Sequence, residues 1–275
     1  MFDLKGIIDL HIHSAPDIRS RSHNDFELAE QAIEVGARAI LIKSHHSSTA
    51  ERAWLLNKLY PNVDVFGSIT LNQSVGGINP YAVDYALKMG AKTVWLPTID
   101  ACNHRQKEGK SGGIDLIMNQ KVLPELKEVF KLIAEKNVTL ATGHLSPKEI
   151  YMVIKEARNL GVQKIVITHP EFHIVGMTIS EQKELRNEFP VFFERTYAQP
   201  IGNGKYQSNL QTNLEAIMEI GHESTIISTD SGQIQNPLWK IAIKEYIQFL
   251  NNNGIPDNEL EVMTKTAPAL LLDLL

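Results

Sequence analysis

Eight short apolar runs rich in β-branched residues, at 6–12, 39–43, 63–69, 93–96, 138–142, 164–168, 191–193 and 224–228, alternate with stretches of helical spacing. Each run is short enough to be one buried strand. Between them apolar residues recur one helical turn apart, as in Phe26, Leu28, Ala29, Ala32 and Ile33, or Ile150, Val153, Ile154 and Ala157. Gly36, Gly90, Gly161 and Gly221 stand where helices end and a left-handed residue is wanted. Ser146-Pro147-Lys148-Glu149 reads as an N-cap, a proline in the first turn and a capping-box glutamate. Continuous apolar strands alternating with helices predict a parallel sheet covered on both faces. The count of eight predicts an α/β fold of the (β/α)8 TIM type with a closing C-terminal helix over 257–275. A chain of 275 residues without a Ser/Gly linker suits one barrel domain spanning 1–275. An open doubly wound sheet is the alternative, but no G-x-G-x-x-G follows the first strand. Two long glycine-containing connections, 100–113 and 198–208, read as mobile lids.

Composition narrows the function classes. With 27 Lys+Arg against 32 Asp+Glu and no basic block, the chain offers no general surface for nucleic acid. The N-terminus lacks a basic segment followed by an apolar one, and no run of 18 apolar residues follows, so a cytoplasmic protein without a membrane span is expected. Cys102 is the only cysteine, which excludes an intramolecular disulfide and a thiolate-rich metal cluster. The expected partner is a small-molecule substrate, and the composition is compatible with a homo-oligomer.

The ten histidines are the informative residues. In a (β/α)8 barrel the C-terminal strand ends and the loops after them form the active face. His11, His13, His45, His46, His144 and His169 end expected strands, and His23, His104 and His173 lie in the loops that follow. His222 alone falls in a turn of the opposite face. Residues i and i+2 of a strand point to one side, so His11 and His13 can converge on one ion. His144 and His169 hold the equivalent position on two further strands, and Asp230 ends the last one. Imidazoles and a carboxylate gathered at one mouth are costly to bury unless a cation or hydrogen bonds satisfy them.

H-x-H on the first strand, single histidines ending the fifth and sixth, and an aspartate ending the eighth resemble the amidohydrolase superfamily of metal-dependent hydrolases, in an uncharacterised branch. The likeness runs through Asp230-Ser231-Gly232 to Thr266-Ala267-Pro268-Ala269-Leu270-Leu271. It implies that His11, His13, His144, His169 and Asp230 hold one or two divalent metal ions, zinc by default, with Mn, Ni, Co or Fe(II) compatible with the same donors. It further implies that Asp230 shuttles the proton of a metal-activated water, with His169 the other catalytic candidate; if only one ion is bound, one of His144 and His169 completes the ligand set and the remaining one steers the electrophile.

Binuclear members bridge their metals with a carboxylated lysine or a glutamate ending the fourth strand, but here that stretch is Trp95-Leu96-Pro97-Thr98-Ile99-Asp100. Asp100 is either a substitute bridge or a loop-start aspartate. Lys43, ending the second strand, is either carboxylated or a cation that binds substrate, and the cationic role is expected. Glu194 is a ligand, a substrate contact or an ion-pair partner. Lys43, His45, His46 and Arg19, with Arg21 in the same loop, would suit an anionic substrate. Trp54, Trp95 and Trp239 are expected to be packing aromatics. The expected reaction is hydrolysis of a small amide, cyclic amide, lactone or ester. The alternatives are phosphoester cleavage of the TatD nuclease kind, lowered by the absent fourth-strand glutamate, and a non-hydrolytic use of the scaffold such as decarboxylation, isomerisation or metal sensing without turnover.

Overall fold

The computed structural model describes residues 2–275. Its frame consists of strands β1 (Ile8–Ile12), β2 (Ala39–Ile42), β3 (Asp64–Phe66), β4 (Ser68–Thr70), β5 (Thr93–Trp95), β6 (Thr139–Ala141), β7 (Lys164–Ile167), β8 (Phe192–Thr196) and β9 (Thr225–Ser228). Between them lie α1 (Asp25–Val35), α2 (Ala50–Leu59), α3 (Pro80–Lys88), α4 (Cys102–Lys107), α5 (Pro124–Lys136), α6 (Pro147–Asn159), α7 (Ile179–Glu188), α8 (Leu210–Ile220) and α9 (Trp239–Asn252). The run expected as one third strand is two. Gly67 separates β3, which pairs in parallel with β2, from β4, which pairs in parallel with β5.

The residues fall into two compact units. One comprises residues up to Lys43, Glu51–Gly67 and Glu194–Leu275; the other comprises Ser44–Ala50 and Ser68–Phe193. In the first unit β1, β2 and β3 form a parallel sheet in that order. The end of β1 is joined to the segment after β9 by the Asp230 N–H donating to the His11 carbonyl at 2.9 Å and the His13 N–H donating to the Ser231 carbonyl at 2.8 Å. Leu28 and Ala32 of α1 and Ile243, Tyr246 and Leu250 of α9 fill the core beside these strands. The C-terminal segment 257–272 is helical as expected, with a π-helical turn at Val262–Thr266 that buries Met263.

In the second unit β4, β5, β6, β7 and the first residues of β8 pair in parallel in that order. Their apolar faces are buried together with Val129, Phe130 and Ile133 of α5 and Val153 and Ile154 of α6. Helix α6 begins as the sequence indicates. The Ser146 hydroxyl accepts from the Glu149 N–H, and the Glu149 carboxylate accepts from the Ser146 N–H at 2.8 Å. Among the described residues no helix is long and apolar enough to cross a membrane.

Three expectations change. The 100–113 connection contains α4, and 198–208 is an antiparallel hairpin of Ala198–Gly202 and Lys205–Ser208, so both segments have their own hydrogen-bonded structure. Trp95 and Trp239 are buried, but Trp54 is 54% exposed, with the Lys58 ammonium 5.2 Å from its ring centre.

Gly232 makes the tightest backbone approach of the first unit. It adopts φ +115°, and a Cβ there would lie 1.9 Å from the His13 carbonyl oxygen, inside any tolerable contact. Gly232→Ala is therefore expected to destabilise the chain by roughly 3 kcal/mol or more through clash and strain together. That corresponds to a melting temperature roughly 6–12 °C lower. Gly254→Ala, at φ +96° with open space around it, carries strain alone and should shift the melting point clearly less.

His23, in the loop after β1, is buried with Nε2 unpartnered, and burial pushes its imidazole down to about 4. The unfolded chain therefore takes up a proton near pH 6.5 that the folded chain refuses until about pH 4, so this residue withdraws stability as pH falls through that window. Between pH 7 and 5 the loss from His23 is on the order of 2 kcal/mol. Thermal melts of the wild type and His23→Gln at both pH values should show a smaller acid shift in the variant; equal shifts would refute the assignment.

Candidate metal centre

In β1 the side chains alternate, so Asp9, His11 and His13 share one side of the chain. Asp9 is fully buried and accepts from the Thr229 hydroxyl at 2.7 Å, the Trp239 indole N–H at 2.9 Å, and the backbone N–H groups of His11 and Thr229. Further along each segment the chemistry-bearing groups meet. His11 Nε2 and His13 Nε2 each lie 3.2 Å from Oδ1 of Asp230. One ligand atom from each of the three falls within 4.8 Å of the others, the spacing that one ion can bridge. Asp230 reaches this position in the left-handed region, at φ +50°, a conformation that a non-glycine residue holds only when its surroundings enforce it.

The electrostatics favour a cation at the meeting point. Burial opposes charging His11, but Asp230 and Glu194 outweigh it and raise its affinity for a proton. Burial likewise opposes the Asp230 carboxylate, yet the two histidines hold it well below the usual carboxylate range. His13 stays neutral because burial and then the Arg21 guanidinium push its imidazole far down. Lys43 points inward, 1% exposed, with Nζ 3.0 Å from His11 Nε2. Burial lowers its ammonium to about 8, although Asp230 and Glu194 support the charge. Glu194 accepts from His11 Nδ1 at 3.0 Å through Oε2, while its Oε1 is buried without a hydrogen-bond partner. A two-imidazole, one-carboxylate donor set with an orphaned carboxylate oxygen beside it fits a divalent ion of the zinc kind.

His144 and His169 belong to the second unit, where their ring centres are 5.0 Å apart. Gly143, at φ +62°, permits this position: a Cβ there would lie 2.4 Å from the Leu96 carbonyl oxygen. His169 itself adopts φ +27°. The Gly143 N–H donates to the Thr168 hydroxyl and the Thr168 N–H to that of Thr142, which locks the two strand ends together. His104, which the sequence placed only in a loop, lies with Nδ1 2.6 Å from His144 Nδ1 and stacks on its ring. Phe172 packs edge-on against both His144 and His169. His45 Nδ1 is 2.8 Å from the Thr98 hydroxyl, and the His46 ring adjoins it at 6.2 Å. Asp100 accepts from the Gln73 N–H at 2.9 Å, as a loop-start aspartate does.

Arg19 is exposed, and its one hydrogen bond among the described residues is from its backbone N–H to Asp17. Arg21, its neighbour in the loop, is the arginine whose side chain is buried, 3% exposed, and paired with Asp17. Sequence spacing could not separate the two arginines. Asp9 was missed because an aspartate inside an apolar strand gives no sign of which donors will reach it.

Several solved structures share this fold. An amidohydrolase from Pseudomonas aeruginosa superimposes with a TM-score of 0.70 at 13% identity, covering 98% of this chain and 95% of its own. An amidohydrolase from Burkholderia multivorans with bound zinc gives a TM-score of 0.63 at 11% identity, covering 98% and 100%. A 2,6-dihydroxybenzoate decarboxylase from Rhizobium gives 0.54 at 13% identity, covering 98% and 99%. No curated protein matches the sequence. Residues 6–194 match the family of unknown function DUF6282, which spans more than half of the chain. The chain thus belongs to DUF6282 and has the parallel-stranded α/β fold of the amidohydrolase barrels.

Proposed function

We propose that this protein is a metal-dependent hydrolase that cleaves a small amide, cyclic amide, lactone or ester, with His11, His13 and Asp230 as metal ligands. The observation that carries this reading is the convergence of two imidazole Nε2 atoms on one oxygen of Asp230, each at 3.2 Å. A divalent ion held by these residues would supply an activated water and a Lewis acid for the scissile carbonyl. Asp230 divides its two oxygens between tasks. Oδ1 faces the histidines and accepts from the Gln233 amide, whereas Oδ2 makes no hydrogen bond among the described residues and belongs to a side chain 14% exposed. Held ionised, Asp230 takes the proton of the attacking water and returns it to the leaving group. Glu194 orients His11 through Nδ1, and Lys43 presents a buried cation beside the ligands.

That buried lysine also favours a second reading. A cation held against the reacting centre suits a substrate that loses a carboxylate, so decarboxylation is the alternative activity. A panel of lactones, amides, phosphodiesters and aromatic acids separates the readings by the product that forms.

Protein purified without added metal should contain about one or two divalent ions per chain, and activity surviving in chelator would sink the mechanism. His11→Ala and His13→Ala should reduce metal content and abolish turnover in a folded protein. Asp230→Asn should keep more metal than either and lose most activity. Metal analysis of His169→Ala decides whether His169 is also a ligand: unchanged stoichiometry assigns the metal to the three first-unit residues alone. Because protons would compete with an ion for His11, whose affinity for a proton is raised, metal affinity should weaken as pH falls.

A further inference from the structure

Beside the His11, His13 and Asp230 cluster, two hydrogen-bond donors of the first unit have no acceptor among the described residues. The Arg21 guanidinium is fixed on one edge, with Nε donating to Asp17 at 2.9 Å and Nη2 to the same carboxylate at 2.6 Å. Nη2 also lies 3.3 Å from His13 Nδ1. Nη1 donates to no group among the described residues, although the side chain is 3% exposed. Unused donors on a buried guanidinium are unfavourable unless water or a ligand takes them.

The second donor is the hydroxyl of Tyr206. It sits in the hairpin 198–208, where Tyr206 pairs with Pro200. Strand alternation turns its ring inward while Lys205 and Gln207 on either side are exposed. The base of the hairpin is tied down, because the Asn209 N–H donates to the Tyr197 carbonyl and the Gln199 amide donates to the Asn209 side chain. At the turn, a Cβ on Gly204 would lie 3.8 Å from Gln235 Nε2, in the loop that follows Asp230, so the turn runs beside that loop. The phenol therefore lies within electrostatic reach of Asp230, Arg21 and Arg19. Burial and then Asp230 push it up to about 12, so it keeps its proton at any working pH and acts as a donor. Its hydroxyl makes no hydrogen bond among the described residues.

Charge also points to an anion. Arg19, Arg21 and Lys43 stand against Asp9, Asp17, Glu194 and Asp230, three against four, so a bound divalent ion would leave one positive charge in surplus.

We propose that Arg21 Nη1 and the Tyr206 hydroxyl clamp a carboxylate of the substrate beside Asp230, which makes the substrate a small organic acid. The proposal rests on the hydrolase reading in taking Asp230 as the reaction centre. The hairpin brings Tyr206 to the acid, and Asp17 keeps the guanidinium from turning away. Charge-assisted bonds of this kind discriminate strongly between a carboxylate and a neutral amide of the same shape.

Calorimetric titration with benzoate and the isosteric benzamide, on zinc-loaded and chelator-treated protein, tests the clamp. Wild-type protein should bind benzoate roughly tenfold more tightly than benzamide. Tyr206→Phe and Arg21→Met should each weaken benzoate roughly tenfold and leave benzamide unchanged. Equal affinity for the two probes, or a Tyr206→Phe dissociation constant for benzoate within about twofold of wild type, overturns the proposal. If Arg21→Met fails to fold because Asp17 is stranded, Tyr206→Phe decides alone, since it removes one solvent-reachable oxygen. Zinc content measured on the same samples reports separately on the hydrolase reading. A wild type that binds no zinc counts against that reading, and the chelator-treated titrations then decide the clamp.

Discussion

The Asp9 carboxylate is the interaction on which the first unit depends. A buried carboxylate is unfavourable unless donors surround it, and burial indeed raises Asp9 to about 6. Four donors from three places answer that demand: the backbone beside it in β1, the backbone and hydroxyl of Thr229, and the Trp239 indole. Each such bond to a charged group contributes roughly 1.5–3 kcal/mol against the alternative of leaving it unmade. The result is directional. Thr229 cannot satisfy Asp9 without placing the next residue, Asp230, beside the carbonyl of His11. Trp239 fixes the start of α9 to the same oxygen.

From that knot the candidate metal ligands follow with little freedom. His11 and His13 are two and four residues past Asp9, on the same side of one strand, while Asp230 is one residue past Thr229. The left-handed turn at Asp230 and the glycine two residues later bring the chain against His13. Local strain is thus stored where the ligands converge, as expected of a site whose geometry matters more than its own stability.

Much of this arrangement was legible in the sequence because strand ends and histidines can be counted. H-x-H requires only the alternation of a strand, and Asp230 followed by Ser231-Gly232 signals a tight turn. The capping box at Ser146 was equally plain, since its residues lie within four positions of one another. What escaped was set by distant partners. The break at Gly67 depends on two different pairing partners for β3 and β4, which an unbroken apolar run conceals. The loop arginines looked alike, yet one is buried against Asp17 and the other lies in solvent. His104 gains its importance from a ring forty residues away in the chain. The 198–208 connection read as a mobile lid because its glycines masked a paired hairpin.

That hairpin is attached to the rest of its unit through a small set of anchors around Asn209, whereas the candidate metal ligands hang from the strands themselves. Lineages descending from such a chain can therefore exchange one short ribbon for another without disturbing the His11, His13 and Asp230 cluster. The inherited part of the enzyme would be its strand ends, and the negotiable part would be a ribbon of about ten residues.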